Sequence, residues 1–407
     1  MMLTRDFVWS PEGELVVWCA RTAVPGDLRA RIRQRVQGRV NWARVLELAG
    51  HHGVIPLLYR TLSLVCAELV PESVLVRLRQ KAKACALLNR AQAKELGWLA
   101  EAFAEQGVPV LGIKGATLAA AAYGDVTLRD FSDLDLLIPE RALGAAQDVL
   151  LAAGYERRDP SSDPEAGDHE EGPYHVFVKP RTVFRVDLQW VMAHQHFSFL
   201  MDRPEFWDNR TSVILEGKPV QGLAPEELLI LLCVHGSKHA WEQLKWVCDV
   251  AEVLRANPDL DWNRIFACAS AWGCRRLVCI GLMMAQLVLD APVAEAAQVR
   301  YLNDDDVRKL SHRMPATLLA NPRAGITEEQ AEALYFALKD TMRERWRFGL
   351  VLCRDQSTIV DRPPTWLSGG SVLAVLSYVL RPLQRAIRNL VPEGTRVTLN
   401  RWVEHGS

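Results

Sequence analysis

The sequence predicts an α+β protein, with a small mixed sheet set between an N-terminal and a C-terminal helical region. Three observations predict it. Residues 77–106 are rich in Ala, Leu, Lys, Glu and Gln, which are strong helix formers. Short β-branched and Leu-containing runs occur between 108 and 190. From Pro225 to about Val288 the apolar residues return to helical spacing. These shifts place an N-terminal helical region at 1–99, an α/β core at 100–222 and a C-terminal helical region at 223–407.

Residues 27–106 read as helices with a break at His51-His52-Gly53, and Gly107 with Pro109 ends the last of them. Residues 108–113 read as a strand, and Lys114-Gly115 as a turn. Residues 117–123 are Ala-rich and helical. Residues 134–138 form a second predicted strand, stopped by Pro139. Residues 140–153 follow as a helix closed by Gly154. The segment 159–172 carries Pro, Ser and six acidic residues and reads as a loop. Residues 175–178 and 183–190 read as strands joined by the turn Lys179-Pro180-Arg181-Thr182. Beyond Val288, prolines at 292, 315, 322, 363, 364, 382 and 392 punctuate the chain.

Composition narrows the class. The chain has 48 Lys+Arg against 49 Asp+Glu, which argues against nucleic-acid binding by overall positive charge. A hydrophobic fraction of 49 % argues against intrinsic disorder. The longest apolar run, 277–289, is shorter than the roughly 20 residues of a membrane span. No signal-peptide pattern opens the sequence. Nine cysteines, without a CxxC, read as free thiols in a reducing compartment, so a cytoplasmic location is expected. The charge balance hides an asymmetry: residues 341–407 hold ten arginines and five acids, including Arg343, Arg345, Arg347, Arg381, Arg385 and Arg388. A solvated helix face explains this most simply, and a positive wall beside the acidic core is the functional alternative.

The informative segment is Ile113-Lys-Gly-Ala116 followed by Arg129-Asp-Phe-Ser-Asp-Leu-Asp-Leu-Leu-Ile138. Asp133 and Asp135 are one residue apart on a predicted strand, so both point to one face. Two such charges repel unless a cation lies between them. Oxygen ligands of this kind select Mg²⁺ or Mn²⁺. Asp187 interrupts an apolar strand, and a shared metal site would make its burial affordable. Gly115 allows close backbone approach, and the helix start after it favours anions.

This ordered set resembles the polymerase-β-type nucleotidyltransferase superfamily, in which a small-residue turn precedes an Asp-x-Asp strand and a third acid follows. It is more closely similar to a bacterial family of uncharacterised nucleotidyltransferases. The matching residues are Ile113-Lys114-Gly115-Ala116, Tyr123-Gly124, Arg129, Ser132-Asp133-Leu134-Asp135-Leu136-Leu137 and Val186-Asp187-Leu188-Gln189-Trp190, with the segment His235 to Asp249. Pro56-Leu-Leu-Tyr59 and Tyr378-Val-Leu-Arg-Pro382 extend the resemblance outward. Ala116 departs from the small polar residue of the superfamily turn, and Gln189 stands where the family often has His.

The resemblance implies a nucleotidyltransferase core and transfer of a nucleoside monophosphate from an NTP such as ATP to a hydroxyl. The acceptor would be a protein, peptide or small molecule. Asp133, Asp135 and Asp187 would be catalytic and hold Mg²⁺ or Mn²⁺. Lys114, Gly115, Ala116, Arg129, Ser132 and Lys238 would bind the nucleotide. A toxin-like enzyme adding nucleotides to RNA, and a non-catalytic nucleotide-binding protein, are the alternatives. Lys114 could instead be a solvated turn residue, and Arg129 could pair with Asp130 or Asp133. His235 and His239 share a helix face at zinc-ligand spacing, but no third ligand is evident, so a structural role is expected. Trp241 and Trp246 read as core rather than base-stacking groups. His194-Gln-His196 reads as a surface turn, and the acidic loop 159–172 as solvated rather than as a lid.

Overall fold

The computed structural model describes residues 9–158, 174–190, 192–194, 197–199, 204–319, 335 and 338–341. The acidic loop 159–172, Gln195, His196, Cys353, the apolar stretch 372–380 and the basic segment from 342 onward lie outside the described residues. Five helices open the chain: α1 (Pro11–Cys19), α2 (Gly26–Gln37), α3 (Trp42–His51), α4 (Ile55–Val65) and α5 (Glu72–Glu105). Their starts follow local chemistry. The Ser10 hydroxyl accepts the Gly13 amide with Pro11 at the first turn of α1, and Asn41 caps α3 through the Arg44 amide.

The mixed region follows as β1 (Leu111–Gly112), α6 (Gly115–Leu118), β2 (Leu134–Leu137), α7 (Leu143–Ala152), β3 (Glu156–Arg158), β4 (Tyr174–Val178) and β5 (Arg185–Gln189). A small hairpin, β6 (Met192–His194) with β7 (Phe197–Phe199), leads to α8 (Pro204–Asp208), β8 (Thr211–Leu215) and β9 (Lys218–Gly222). The helices α9 (Pro225–Lys238), α10 (Leu244–Ala256), α11 (Trp262–Ala271), α12 (Arg275–Leu289), α13 (Glu295–Leu302) and α14 (Asp305–Leu318) complete the described chain. The architecture is α+β, as expected.

Seven strands form one mixed sheet in the order β3-β4-β5-β2-β1-β9-β8. β2 is parallel to β5 and antiparallel to β1. The β2–β5 register sets Asp135 directly opposite Asp187. β4 and β5 form the expected hairpin.

Several elements differ from expectation. The strand at 108–113 contracts to two residues. The helix at 117–123 starts earlier, at Gly115, and widens into a π-helical turn over Ala119–Tyr123. The helix at 140–153 opens with a 3₁₀ turn. β3 and the β8–β9 hairpin were not expected. The hairpin turns through Glu216 and Gly217, both with positive φ.

Two apolar cores organise the molecule. Ala93, Leu96, Leu99 and Phe103 of α5 pack on Leu134, Leu136, Val186 and Leu188 of the sheet. The other core joins Leu15, Val17, Leu48 and Leu58 near the N-terminus to Leu229, Val250 and Leu282 of the later helices. The two helical regions on either side of the sheet therefore share one interior. No helix among the described residues is long and apolar enough to cross a membrane.

Candidate active site

The three aspartates come together. Each offers one carboxylate oxygen, and these atoms lie within 4.8 Å of one another. Asp135 sits within β2 and Asp187 within β5, and their paired register turns both to the same face. Asp133 precedes β2 by one residue, not within the strand as expected. Burial, then the neighbouring Asp135, pushes the Asp133 carboxyl up to about 6. The same two causes raise Asp187, and a hydrogen bond from Arg185 at 2.9 Å works in the opposite direction.

Lys114 faces these acids. Its Nζ lies 2.7 Å from Asp135 Oδ1, so its ammonium partly offsets the cluster. Burial opposes the charged lysine, yet Asp135, Asp133 and Asp187 together hold its pKa above the ordinary value. Gly115 follows with φ +51°, and a Cβ there would stand 3.1 Å from the Asp133 carbonyl oxygen. A side chain at this position would strain the turn and press on the acid loop. Ala116 has its side chain in the sheet core, which leaves its backbone amide as the polar group on offer. Ser132 is exposed beside Asp133.

Arg129, expected at the triphosphate, is committed elsewhere. Its Nε and Nη2 donate to the two carboxylate oxygens of Asp249 at 2.7 and 2.9 Å, and the residue is buried. Its partner is thus neither Asp130 nor Asp133. Tyr123 donates its hydroxyl to Asp249 at 2.7 Å, and Asn89 donates to the carbonyls of Val126 and Arg129 at 2.7 Å each. The loop before the acids is therefore held by two helices, its Val126 and Arg129 carbonyls by α5 and its Tyr123 and Arg129 side chains by α10.

The corner between α9 and α10 flanks the acids. Lys238 is half-buried. Burial, then the charge of Lys114, lowers its pKa, whereas Asp135 and Asp187 pull it upward. No carboxylate pairs with its ammonium among the described residues. His235 is kept neutral by burial and by Lys114. The His239 ring stacks on Trp246, with centroids 4.7 Å apart and planes 20° from parallel. Trp241 is fully buried, as expected of a core residue. Among the described residues, the acid triad is the group placed to hold a metal ion.

Sequence reasoning gave no site role to two supporting residues, Gln189, noted there only as a departure from the family, and Arg185. Gln189 donates to Asp135 Oδ1 at 3.0 Å, and Arg185 holds Asp187. Period-two alternation could have found both, because Arg185, Asp187 and Gln189 share one face of β5. Tyr123 and Asp249 stand among the residues that carry the family resemblance, but nothing in the sequence paired them with each other or with Arg129.

The family model described as "Uncharacterised nucleotidyltransferase" matches residues 38–290, more than half of the chain. Its range stops before Tyr378–Pro382. No curated protein matches the sequence. Solved structures with some likeness include the solution structure of the antibiotic-resistance factor ANT(2'')-Ia, at 15% identity and TM-score 0.32. That match covers 44% of this chain and 90% of the other. A crystal structure of ANT(2'')-Ia in complex with adenylyl-2''-tobramycin has 16% identity, TM-score 0.33 and coverage of 45% and 97%. An antigenic nucleotidyltransferase-like protein from Paracoccidioides brasiliensis has 16% identity, TM-score 0.35 and coverage of 51% and 96%.

Proposed function

The chain belongs to the uncharacterised nucleotidyltransferase family, and from that premise we propose that it transfers a nucleoside monophosphate from an NTP to a hydroxyl of a protein, peptide or small molecule. The observation that carries this reading is the convergence of Asp133, Asp135 and Asp187. The donor set is all carboxylate oxygen, which suits a hard divalent cation such as Mg²⁺ or Mn²⁺. The raised Asp133 and Asp187 pKa values fit the same need, since one lysine does not balance three acids. When bound, such ions supply charge neutralisation for the triphosphate and for the entering and leaving oxygens.

The residues themselves have distinct roles in this reaction. Asp133 and Asp135 orient the triphosphate side of the site, and Gln189 fixes the Asp135 carboxylate. Asp187, with its raised pKa, is suited to accept the proton of the attacking hydroxyl. The acceptor oxygen forms a bond to the α-phosphorus, and the bond from that phosphorus to the β-bridging oxygen breaks. The leaving pyrophosphate takes the electron pair. Lys114 and Lys238 counter the phosphate charge, while Ser132 and the backbone amides of Gly115 and Ala116 line its approach. Arg129 serves this site by holding its loop rather than by touching phosphate.

The test uses the purified chain, a cell extract as acceptor source, each α-labelled NTP, and Mg²⁺ or Mn²⁺. Wild type should label an acceptor, and Asp135→Asn should fail to do so while retaining its circular dichroism spectrum. Absence of transfer from every NTP, or equal transfer by Asp135→Asn, would overturn the reading.

A further inference from the structure

β8 is one edge of the seven-stranded sheet, with β9 on its inner side and no strand on its outer side among the described residues. Its hairpin with β9 closes at Leu215 and Lys218 around the turn Glu216-Gly217. In a hairpin of this kind the closing pair exchanges both hydrogen bonds, and every second pair after it does the same. The bonded pairs are therefore Leu215 with Lys218, Val213 with Val220 and Thr211 with Gly222. Pro219, which has no amide hydrogen, stands opposite Ile214 in an unbonded pair, as this alternation requires. The amides and carbonyls of Ser212 and Ile214 thus point outward, and they find no partner among the described residues.

Natural proteins blunt such an edge with proline, charge or a bulge. β8 carries none of these: it reads Thr-Ser-Val-Ile-Leu in unbroken register with β9. Thr211, Ser212 and Ile214 are exposed, and Ile214 is 65% accessible, which is unusual for a large apolar residue on a strand. Charges stand only at the two ends, Arg210 before the strand and Glu216 after it, both exposed. Arg210 pairs with no carboxylate among the described residues. Glu216 meets Arg90 only at 3.9 Å.

This edge is complementary to itself. We propose that two copies of the chain join antiparallel through β8, about a twofold axis at Val213, to form one continuous sheet. Ser212 then stands opposite Ile214 of the partner subunit, and both residues point their free amides and carbonyls across the join. Each such pair exchanges both of its hydrogen bonds. Arg210 stands opposite Glu216 of the partner subunit at either end, so a cation meets a carboxylate twice. Ile214 lies diagonal to Ile214 of the partner subunit on the exposed face, within reach of apolar contact. The interface is isologous, as a closed dimer requires. Asp135 on β2 is three strands inward, about 14 Å at ordinary strand spacing. The pairing leaves the acid triad open, and it stands or falls apart from the nucleotidyltransferase reading.

Sedimentation equilibrium of the full chain, from about 1 µM to about 0.2 mM, tests it. Wild type should show a reversible monomer–dimer equilibrium within that range. Arg210→Glu alone, or Glu216→Arg alone, sets like charges opposite each other at both ends of the join. Each should weaken dimerisation by about tenfold or more. Arg210→Glu combined with Glu216→Arg should restore it, because the pairs are reversed but complementary again. Ile214→Pro removes an outward amide that β9 does not use. It should abolish the dimer while the monomer keeps its circular dichroism spectrum. A wild-type chain that stays monomeric throughout would overturn the proposal. A dimer that ignores the single charge reversals, or that the double variant fails to restore, would overturn it as well, by placing the interface elsewhere.

Discussion

At the scale of single residues, Asp133 links site chemistry to stability. Its carboxyl is pushed up to about 6, first by burial and then by Asp135. In the unfolded chain it returns to the ordinary carboxylate range, so the folded protein binds the extra proton between those values. The stabilising contribution of neutral Asp133 is full below the unfolded pKa and is lost as pH rises through about 6. Asp133→Asn keeps the uncharged form at every pH. In chelator, it should be more stable than wild type at pH 8, by up to about 3 kcal/mol, and equal near pH 4. Scanning calorimetry at the two pH values measures this, and a variant less stable at pH 8 would show that Lys114 already compensates the charge. Gly115 gives a second test at this scale. Gly115→Ala should lower NMP transfer by about tenfold or more at unchanged fold, because the new methyl meets the Asp133 carbonyl where φ is already positive. Equal transfer rates would remove the turn from the site.

At the scale of elements, the clamp between the acid loop and α10 decides how Arg129 behaves. A buried guanidinium that loses its carboxylate leaves an uncompensated charge, which costs about 3–5 kcal/mol. Asp249→Ala should therefore destabilise the protein by that order, and Tyr123 loses a partner as well. Arg129→Met combined with Asp249→Leu should cost less than the sum of the single changes, as read from a denaturation double-mutant cycle. Additive costs would show that the pair is not coupled. This clamp also marks the limit of sequence reading. The acids were legible because one-residue spacing on strands fixes their common face, as with Asp133 and Asp135. The partner of Arg129 lies 120 positions away, and a cation beside acids looks the same whether it meets phosphate or a protein carboxylate. β1 was overread because residues 108–113 have strand composition, but only Leu111 and Gly112 pair as strand residues, and Ile113 adds a single amide bond to the Asp135 carbonyl of β2. β8 and β9 were missed although Glu216-Gly217 forms a turn, because Pro219 and Gln221 dilute the strand pattern of β9.

At the scale of the molecule, the sheet does not own all of its interior. Leu111, Ile113, Leu118, Tyr123 and Leu137 face the core formed by helices from both ends of the described chain. Each such side chain contributes about 1.5–3 kcal/mol when fully buried, and a whole domain is stable by only about 5–15 kcal/mol. Cutting the chain at the boundaries read from composition would expose these five together and strip Asp249 from Arg129 and Tyr123. The site depends on the same union, since α9 sets Lys238 within the influence of Asp135 and Asp187 and α10 holds the acid loop through Asp249. An isolated fragment spanning 100–222 should therefore show no cooperative thermal unfolding and should bind Mg²⁺ no better than a disordered acidic chain. The intact protein should gain thermal stability on Mg²⁺ addition, through relief of the crowded carboxylates. Calorimetry and circular dichroism of the two species decide the matter. A sharp transition in the fragment would mean that the sheet carries a self-sufficient core, and that the helices were added to an independent site rather than needed to form it.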